Sequence, residues 1–146
     1  MEKAFLIACI LFFAGCRTTV DNVYKVDFVY INETQHCILI EGYWTYNNSE
    51  EKELRMSLDL PPNGSSIFQK KLENNDFLQN CVHEIIVTYD DSITIQHDCL
   101  DVSVRCLFDE TQYKLIEEGK HKLRYEYTFT EEDYQVALAI YLKENP

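Results

Sequence analysis

Cysteines are the residues of this chain whose type and spacing carry the clearest chemistry. The sequence contains six, and four of them lie beyond residues 1–16, the predicted export signal. An even number of cysteines in an exported domain predicts two disulfides, with three possible connectivities. We favour one local bond and one long-range bond. The four residues are Cys37, Cys81, Cys99 and Cys106, and the favoured pairs are Cys37–Cys81 and Cys99–Cys106.

Patterns for catalysis or metal binding are missing from the sequence. There is no nucleophile-elbow motif, and the four glycines are too scattered to form a phosphate-binding loop. Histidines lie close to cysteines at His36-Cys37 and at 97–99, but no C-x-x-C pair accompanies them. Oxidation of the thiols would also compete with zinc. We therefore expect no catalytic residue, no metal site and no cofactor.

Two further groups of residues are candidate sites. Three Asn-X-Ser/Thr triplets predict N-glycosylation, at Asn32, Asn47 and Asn63. The aromatic run Tyr43-Trp44-Thr45-Tyr46 has two interpretations. It is an exposed surface that binds a partner protein through Tyr43, Trp44 and Tyr46, because tryptophan and tyrosine dominate binding hot spots. Alternatively, Trp44 fills the space between two sheets.

The N-terminal segment is typical of an export signal. An apolar run at 4–14 follows Lys3 and is too short to span a membrane. Cleavage after Cys16 gives residues 1–16 as a signal peptide and 17–146 as a single domain of a secreted protein. The alternative is a lipobox at Phe13-Ala14-Gly15-Cys16, with the chain anchored to a bacterial surface through a lipid on Cys16. The sequence contains no second apolar run, so we expect no transmembrane segment.

The charge of the chain excludes some partners. The formal net charge is −12 and the pI is about 4.6. Nucleic acids and anionic membrane surfaces attract basic proteins, so neither is expected as a partner. An acidic surface favours a basic partner, and it also simply keeps a protein soluble.

The elements that must position these residues are mostly strands. Apolar and polar residues alternate with period two, which predicts half-buried strands. Residues 66–80 favour a short helix or a packed loop, and 109–119 a helical turn ended by Gly119. The predicted strands cover 24–30, 37–46, 53–60, a hairpin at 84–97 that turns at 90–92, 102–108, and a C-terminal hairpin formed by 122–129 and 134–142. We therefore expect an all-β protein, an antiparallel β-sandwich of about eight strands with little helix, of the immunoglobulin-like or lipid-cup type.

The last third of the chain resembles one family. Cys99 and Cys106 are close together, and Gly119 precedes KLRYEYTF and YQVALAIYLK, which reach nearly to the C-terminus. This arrangement resembles the MD-2-related lipid-recognition family and, in its final segment, the GM2-activator proteins. The resemblance implies a secreted β-cup that holds a lipid chain between its two sheets. Its lining would come from Leu54, Met56, Leu58, Leu123, Tyr125, Tyr127, Phe129, Val136, Leu138 and Ile140.

Three functions remain open at this point. The first is a secreted, non-enzymatic domain that binds a partner protein, in the manner of an effector or immune modulator. The second is a carrier of a small lipid. The third is the surface lipoprotein anchored through Cys16. The oligomeric state is not indicated by any of these patterns.

Overall fold

The chain forms a β-sandwich of two four-stranded sheets. A computed structural model describes residues 23–46, 51–73, 77–78, 82–97 and 105–146. Sheet I has the strand order β4-β1-β8-β7, and sheet II has the order β3-β2-β5-β6. The elements are β1 (Val23–Asn32), β2 (Ile38–Thr45), β3 (Lys52–Leu60), β4 (Ser65–Glu73), β5 (Glu84–Tyr89), β6 (Ile93–His97), β7 (Lys114–Gly119), β8 (Lys122–Phe129) and helix α1 (Glu131–Glu144).

The predicted fold class, an all-β sandwich of about eight strands, is confirmed. One strand pair departs from the antiparallel arrangement, because β1 and β8 run parallel to each other at the centre of sheet I. Parallel neighbours need a long crossover connection. Here the crossover from β1 to β8 includes all four strands of sheet II, so the chain builds the second sheet before it completes the first.

Aromatic side chains fill the space between the sheets. The inward faces of β1 and β8 alternate as the sequence predicts, and Phe28, Tyr30, Tyr127 and Phe129 are each at most 1% exposed. Tyr113 joins them from the segment before β7, where its hydroxyl donates to the Leu107 carbonyl at 2.9 Å. Because burial disfavours the charged form, the pKa of Tyr113 lies well above its ordinary value.

The C-terminal segment is a helix, so the predicted strand at 134–142 is wrong. Thr130 begins the helix, and the Asp133 carboxylate accepts hydrogen bonds from the backbone N–H of Thr130 at 2.7 Å and from its hydroxyl at 3.0 Å. Three acidic residues occupy the first turn, where the helix dipole favours negative charge. The side chains that contact the core recur mostly at intervals of three or four residues, as on one side of a helix: Tyr134, Ala137, Leu138, Ile140 and Tyr141.

Arg105 fastens helix α1 to sheet I. Its guanidinium forms a two-pronged ion pair with Asp133, with Nε donating to Oδ1 at 2.8 Å, and also donates to the Thr128 carbonyl at 2.5 Å. The same guanidinium lies 4.7 Å from the centre of the Tyr127 ring. This ion pair raises the pKa of Arg105 further. A single cation therefore connects the helix N-terminus, the end of β8 and the aromatic core.

Three other predicted elements, at 66–80, 109–119 and 102–108, are wrong in the residues that the structure describes. Residues 65–73 form strand β4, because nine consecutive positions pair with β1 and this long-range pairing overrides a weak local helical pattern. Residues 109–119 contain a 3-10 turn at Glu110–Gln112 and then strand β7, and Gly119 does not adopt a left-handed conformation. In the predicted strand 102–108, residues 105–108 form an irregular turn, and 102–104 lie outside the described residues.

Candidate functional site

A bulge in β3 creates the candidate surface at one end of sheet II. The pairing of β2 with β3 shifts between Gly42 and Tyr43, so that Arg55 is an extra residue on β3. A bulge changes which side chains face the core beyond it. Leu54 therefore lies on the outer face, opposite Tyr43, and is 50% exposed. Its predicted place among inward, pocket-lining residues is wrong for this reason.

Trp44 is half-buried and fixed in place by His83. The two rings stack with centroids 3.8 Å apart and an interplanar angle of 30°. His83 is itself held, because its backbone N–H donates to the Tyr43 carbonyl at 2.7 Å and its Nδ1 lies 3.0 Å from the Thr45 hydroxyl. Trp44 is thus held at the rim of the sandwich and does not fill the space between the sheets, as the alternative interpretation required.

Tyr46 is the most exposed aromatic residue of this surface. The ring is 52% exposed, and its hydroxyl donates to the Glu53 carboxylate at 2.6 Å. Arg55 donates to the Tyr46 hydroxyl at 3.0 Å and to Glu53 at 2.6 Å. The Tyr46 hydrogen bond, followed by Arg55, lowers the pKa of Glu53. The hydrogen bonds among the Tyr46 hydroxyl, the Glu53 carboxylate and the Arg55 guanidinium restrain the Tyr46 ring, and the apolar part of the ring faces solvent.

The three predicted partner-surface residues are close together but do not form one flat patch. Tyr43 and Trp44 are consecutive in β2, and successive side chains of a strand point to opposite faces. Tyr43 lies with Leu54 on the outer face. Burial and, as the second cause, the nearby Glu41 carboxylate raise the pKa of the Tyr43 hydroxyl. Trp44 and Tyr46 lie at the sheet end beside Glu53. We call these five residues, Tyr43, Trp44, Tyr46, Leu54 and His83, the rim surface.

The predicted N-glycosylation of Asn32 is wrong. Its side chain is 0% exposed, and its Nδ2 donates to the carbonyls of His36, Leu60 and Pro61 at 2.7–3.2 Å. A glycan on this nitrogen is incompatible with the fold. Asn63 is exposed, in the turn between β3 and β4, with a φ of 57°. Asn47 lies outside the described residues.

The predicted Cys37–Cys81 disulfide is wrong, because Cys37 is an exposed free thiol. Cys37 lies at the end of sheet II where β5 finishes, and its carbonyl accepts from the backbone N–H of Asp90 at 3.0 Å. Cys81 lies outside the described residues.

The predicted pairing of Cys99 with Cys106 is not tested by the described structure. Cys106 is disulfide-bonded, and its partner lies outside the described residues, as do Cys81 and Cys99. The described residues therefore contain only one of the two cysteines of the Cys106 disulfide. The bond Cys99–Cys106 stays a prediction.

The residues predicted to line a lipid pocket pack against one another as core or lie at the surface. Leu123, Tyr125, Tyr127, Phe129 and Met56 are buried. Leu58, Leu138 and Ile140 contact the core from partly buried positions, and Val136 is also partly buried. Between the two sheets and helix α1 lies a cavity of about 20 Å³. One water molecule fits such a volume, whereas ligand pockets measure roughly 300–1,000 Å³.

Within the described residues, no group of three or more histidine, cysteine, aspartate or glutamate side chains is arranged to hold a metal ion. No helix there is both long and apolar enough to cross a membrane. Comparisons of the chain with protein-family models, curated proteins and solved structures found no match.

The sequence offered only part of the information needed to find this site. The aromatic run pointed to Tyr43, Trp44 and Tyr46, but nothing near them in sequence identified His83 or Leu54. The spacing of Thr130 and Asp133 is a helix-start signal that would have predicted α1. Arg105 has no comparable local signal, since its partners lie 23 and 28 residues further along the chain.

Proposed function

We propose that the protein is a secreted, non-enzymatic binding domain that recognises a partner protein through the rim surface. The observation that supports this most directly is the exposure of Tyr46 beside the fixed Trp44 ring, with Leu54 exposed on the outer face at the same end of the sheet. Exposed apolar side chains are ordinary when isolated, but aromatic residues held rigidly next to one another are typical of binding hot spots. The stack on His83 and the hydrogen bonds of Tyr46 reduce the side-chain entropy that binding would cost.

The charge around the rim surface indicates the chemistry of the partner. Glu41, Glu53 and Glu84 surround it, against Lys52 and Arg55. Lys52 pairs with Glu84 at 2.5 Å and Arg55 with Glu53, whereas Glu41 forms no ion pair with a basic side chain in the described part of the chain. The chain as a whole is acidic. A partner with an apolar knob surrounded by basic residues is complementary to this arrangement, and the net charge accelerates its encounter.

Paired variants test this proposal. The wild-type protein and a Trp44→Ala/Tyr46→Ala variant are used to capture proteins from serum and from cell-surface extracts. We expect a protein that binds the wild type and is lost from the variant. With the purified partner, the double substitution should weaken binding by about 2 kcal/mol or more, roughly 30-fold in Kd.

The matched control is Leu142→Ala, which removes a 57% exposed apolar side chain from helix α1. This variant should bind the partner like the wild type. Thermal unfolding checks that all proteins are folded. Equal capture by the wild type and the double variant, or equal loss in the control, would show that the rim surface is not the binding site.

The lipid-carrier alternative has less support. The described cavity between the sheets and helix α1 has room for about one water molecule, and most of the residues expected to line a lipid pocket pack in the core or against it, whereas Leu54 is exposed. The C-terminal hairpin on which the family resemblance depends is a strand followed by a helix. Anchoring through Cys16 concerns a residue outside the described part of the chain and stays a prediction.

A further inference from the structure

Three lysines lie side by side on the outer face of sheet I. Lys25 of β1 is directly opposite Lys71 of β4 on one side and Lys122 of β8 on the other. Neighbouring strands are about 4.8 Å apart, so the row is roughly 10 Å long. Like charges directly opposite each other destabilise a sheet. Such a row is unexpected in a chain with a net charge of −12.

The lysine row, defined as Lys25, Lys71 and Lys122, is only partly neutralised. Lys122 pairs with Glu117 at 2.8 Å, and Lys25 lies 3.8 Å from the Asp27 carboxylate, a long contact. Lys71 makes no ion pair with any residue that the structure describes. The side chain of Lys25 is 50% exposed and that of Lys122 40%. Positive charge therefore remains available to a ligand.

A shallow surface depression adjoins the row. Its volume is about 210 Å³, and it is lined by Lys25, Gln69, Lys70 and Lys71. In the next row of the same face, Asp27 of β1 is paired with Gln69 of β4 on one side and with Arg124 of β8 on the other. Five of the 13 basic residues of the chain thus lie in or beside this part of sheet I. The open, elongated arrangement suits a chain-like anion that lies across the strands.

Asp27 and Gln69 are polar side chains of the row next to the lysines on this face. Asp27 is 6% exposed, and its Oδ1 is buried, has no hydrogen-bond partner within the described structure and lies 3.8 Å from the Lys25 ammonium. The Asp27 charge therefore helps to hold Lys25 in place, and its buried oxygen is not accessible to a ligand. Gln69 is exposed in the depression, and its amide oxygen accepts hydrogen bonds. A ligand matched to this face carries anionic groups for the lysines and hydroxyl donors for Gln69.

We propose that the lysine row binds a sulfated polysaccharide. Each sugar of such a chain carries hydroxyl groups beside its sulfates, which matches the combination of lysines and Gln69. The ionised side chains of an acidic peptide only accept hydrogen bonds, and its donors are confined to the backbone N–H groups. The ligand is extracellular, as is the expected location of the protein. This surface is separate from the rim surface, which lies on sheet II, so either proposal can fail without the other.

Binding to heparin, used as the sulfated probe, tests the proposal. The secreted full chain should bind immobilised heparin at 50 mM salt, and binding should weaken steeply as salt rises because counterions are released. The Lys25→Gln/Lys71→Gln variant should bind more weakly by roughly tenfold or more, since each lysine near an anionic surface contributes about 1 kcal/mol. Both positions are exposed, so the fold should be kept.

Two controls make the outcome decisive. Lys143→Gln removes one charge from helix α1 and should leave heparin affinity unchanged. Poly-glutamate of similar length and charge should bind at least tenfold more weakly than heparin. No heparin binding at 50 mM salt, an equal loss in the Lys143 variant, or equal binding of poly-glutamate would each overturn the proposal.

Discussion

At the scale of single residues, Asn32 holds two parts of the sandwich together. Its amide nitrogen donates to three carbonyls, two of them at the end of β3, while its oxygen accepts from the backbone and hydroxyl of Thr34. The amide thereby connects the end of β1 to the turn that leads from sheet II to sheet I. The triplet Asn-Glu-Thr thus has a structural role here, because both the asparagine and Thr34 are buried.

The substitution Asn32→Ala should lower the free energy of unfolding by about 2–3 kcal/mol, because buried carbonyls lose their donor. Chemical denaturation measures the change. Asn63→Gly is the matched control, since it alters an exposed asparagine at a positive φ that glycine adopts freely, and it should change stability by less than about 0.5 kcal/mol. A loss below about 0.5 kcal/mol for Asn32→Ala would contradict the assigned role. Peptide mapping of secreted protein should find Asn32 without a glycan.

At the scale of elements, helix α1 depends on one carboxylate at its start. Asp133 accepts hydrogen bonds from Thr130 and is paired with Arg105, and its side chain is only 14% exposed. The helix packs along β6 and covers the edge of sheet II. An isolated helix of 14 residues is marginal in water, so these contacts decide whether it persists.

Asp133→Ala should destabilise the protein by about 1–3 kcal/mol and should release the helix before the sheets unfold. Hydrogen exchange would detect this as faster exchange confined to residues 131–144. Glu132→Ala is the matched control, because Glu132 is exposed in the same turn. It takes part in neither the Thr130 hydrogen bonds nor the Arg105 ion pair of Asp133. Equal protection of the helix in both variants would show that Asp133 does not fasten it.

At the scale of the whole molecule, the topology places Cys37 at the end of sheet II where β5 finishes. Cys37 is next to the turn between β5 and β6, where its backbone N–H donates to the Asp90 carboxylate at 3.0 Å. Its thiol is free and exposed at this end of the sheet.

Native thiol labelling followed by peptide mapping should modify Cys37 in the folded protein and leave Cys106 unlabelled. Cys37→Ser should remove the Cys37 label and change the unfolding free energy by less than about 0.5 kcal/mol, as for an exposed side chain without a bond. Recovery of a Cys37–Cys81 linked peptide from non-reduced protein would contradict the free thiol of Cys37.

The sequence by itself determined the properties that depend on neighbours along the chain. Period-two alternation identified β1, β2, β3, β8 and the β5–β6 hairpin, because a strand with one buried face must alternate apolar and polar residues. The same local reasoning singled out the aromatic run at 43–46. Composition alone gave the acidic character of the chain.

The tertiary structure decided what depends on contacts between distant residues. The bulge at Arg55 reversed the face of Leu54, and the core accepted Ala137 and its neighbours at helical spacing although the same segment also alternates. Pairing with β1 turned 65–73 into a strand and assembled the lysine row from three separate segments. An alternating pattern records which residues avoid water, but the partner strand and the register are set by packing across the whole sandwich.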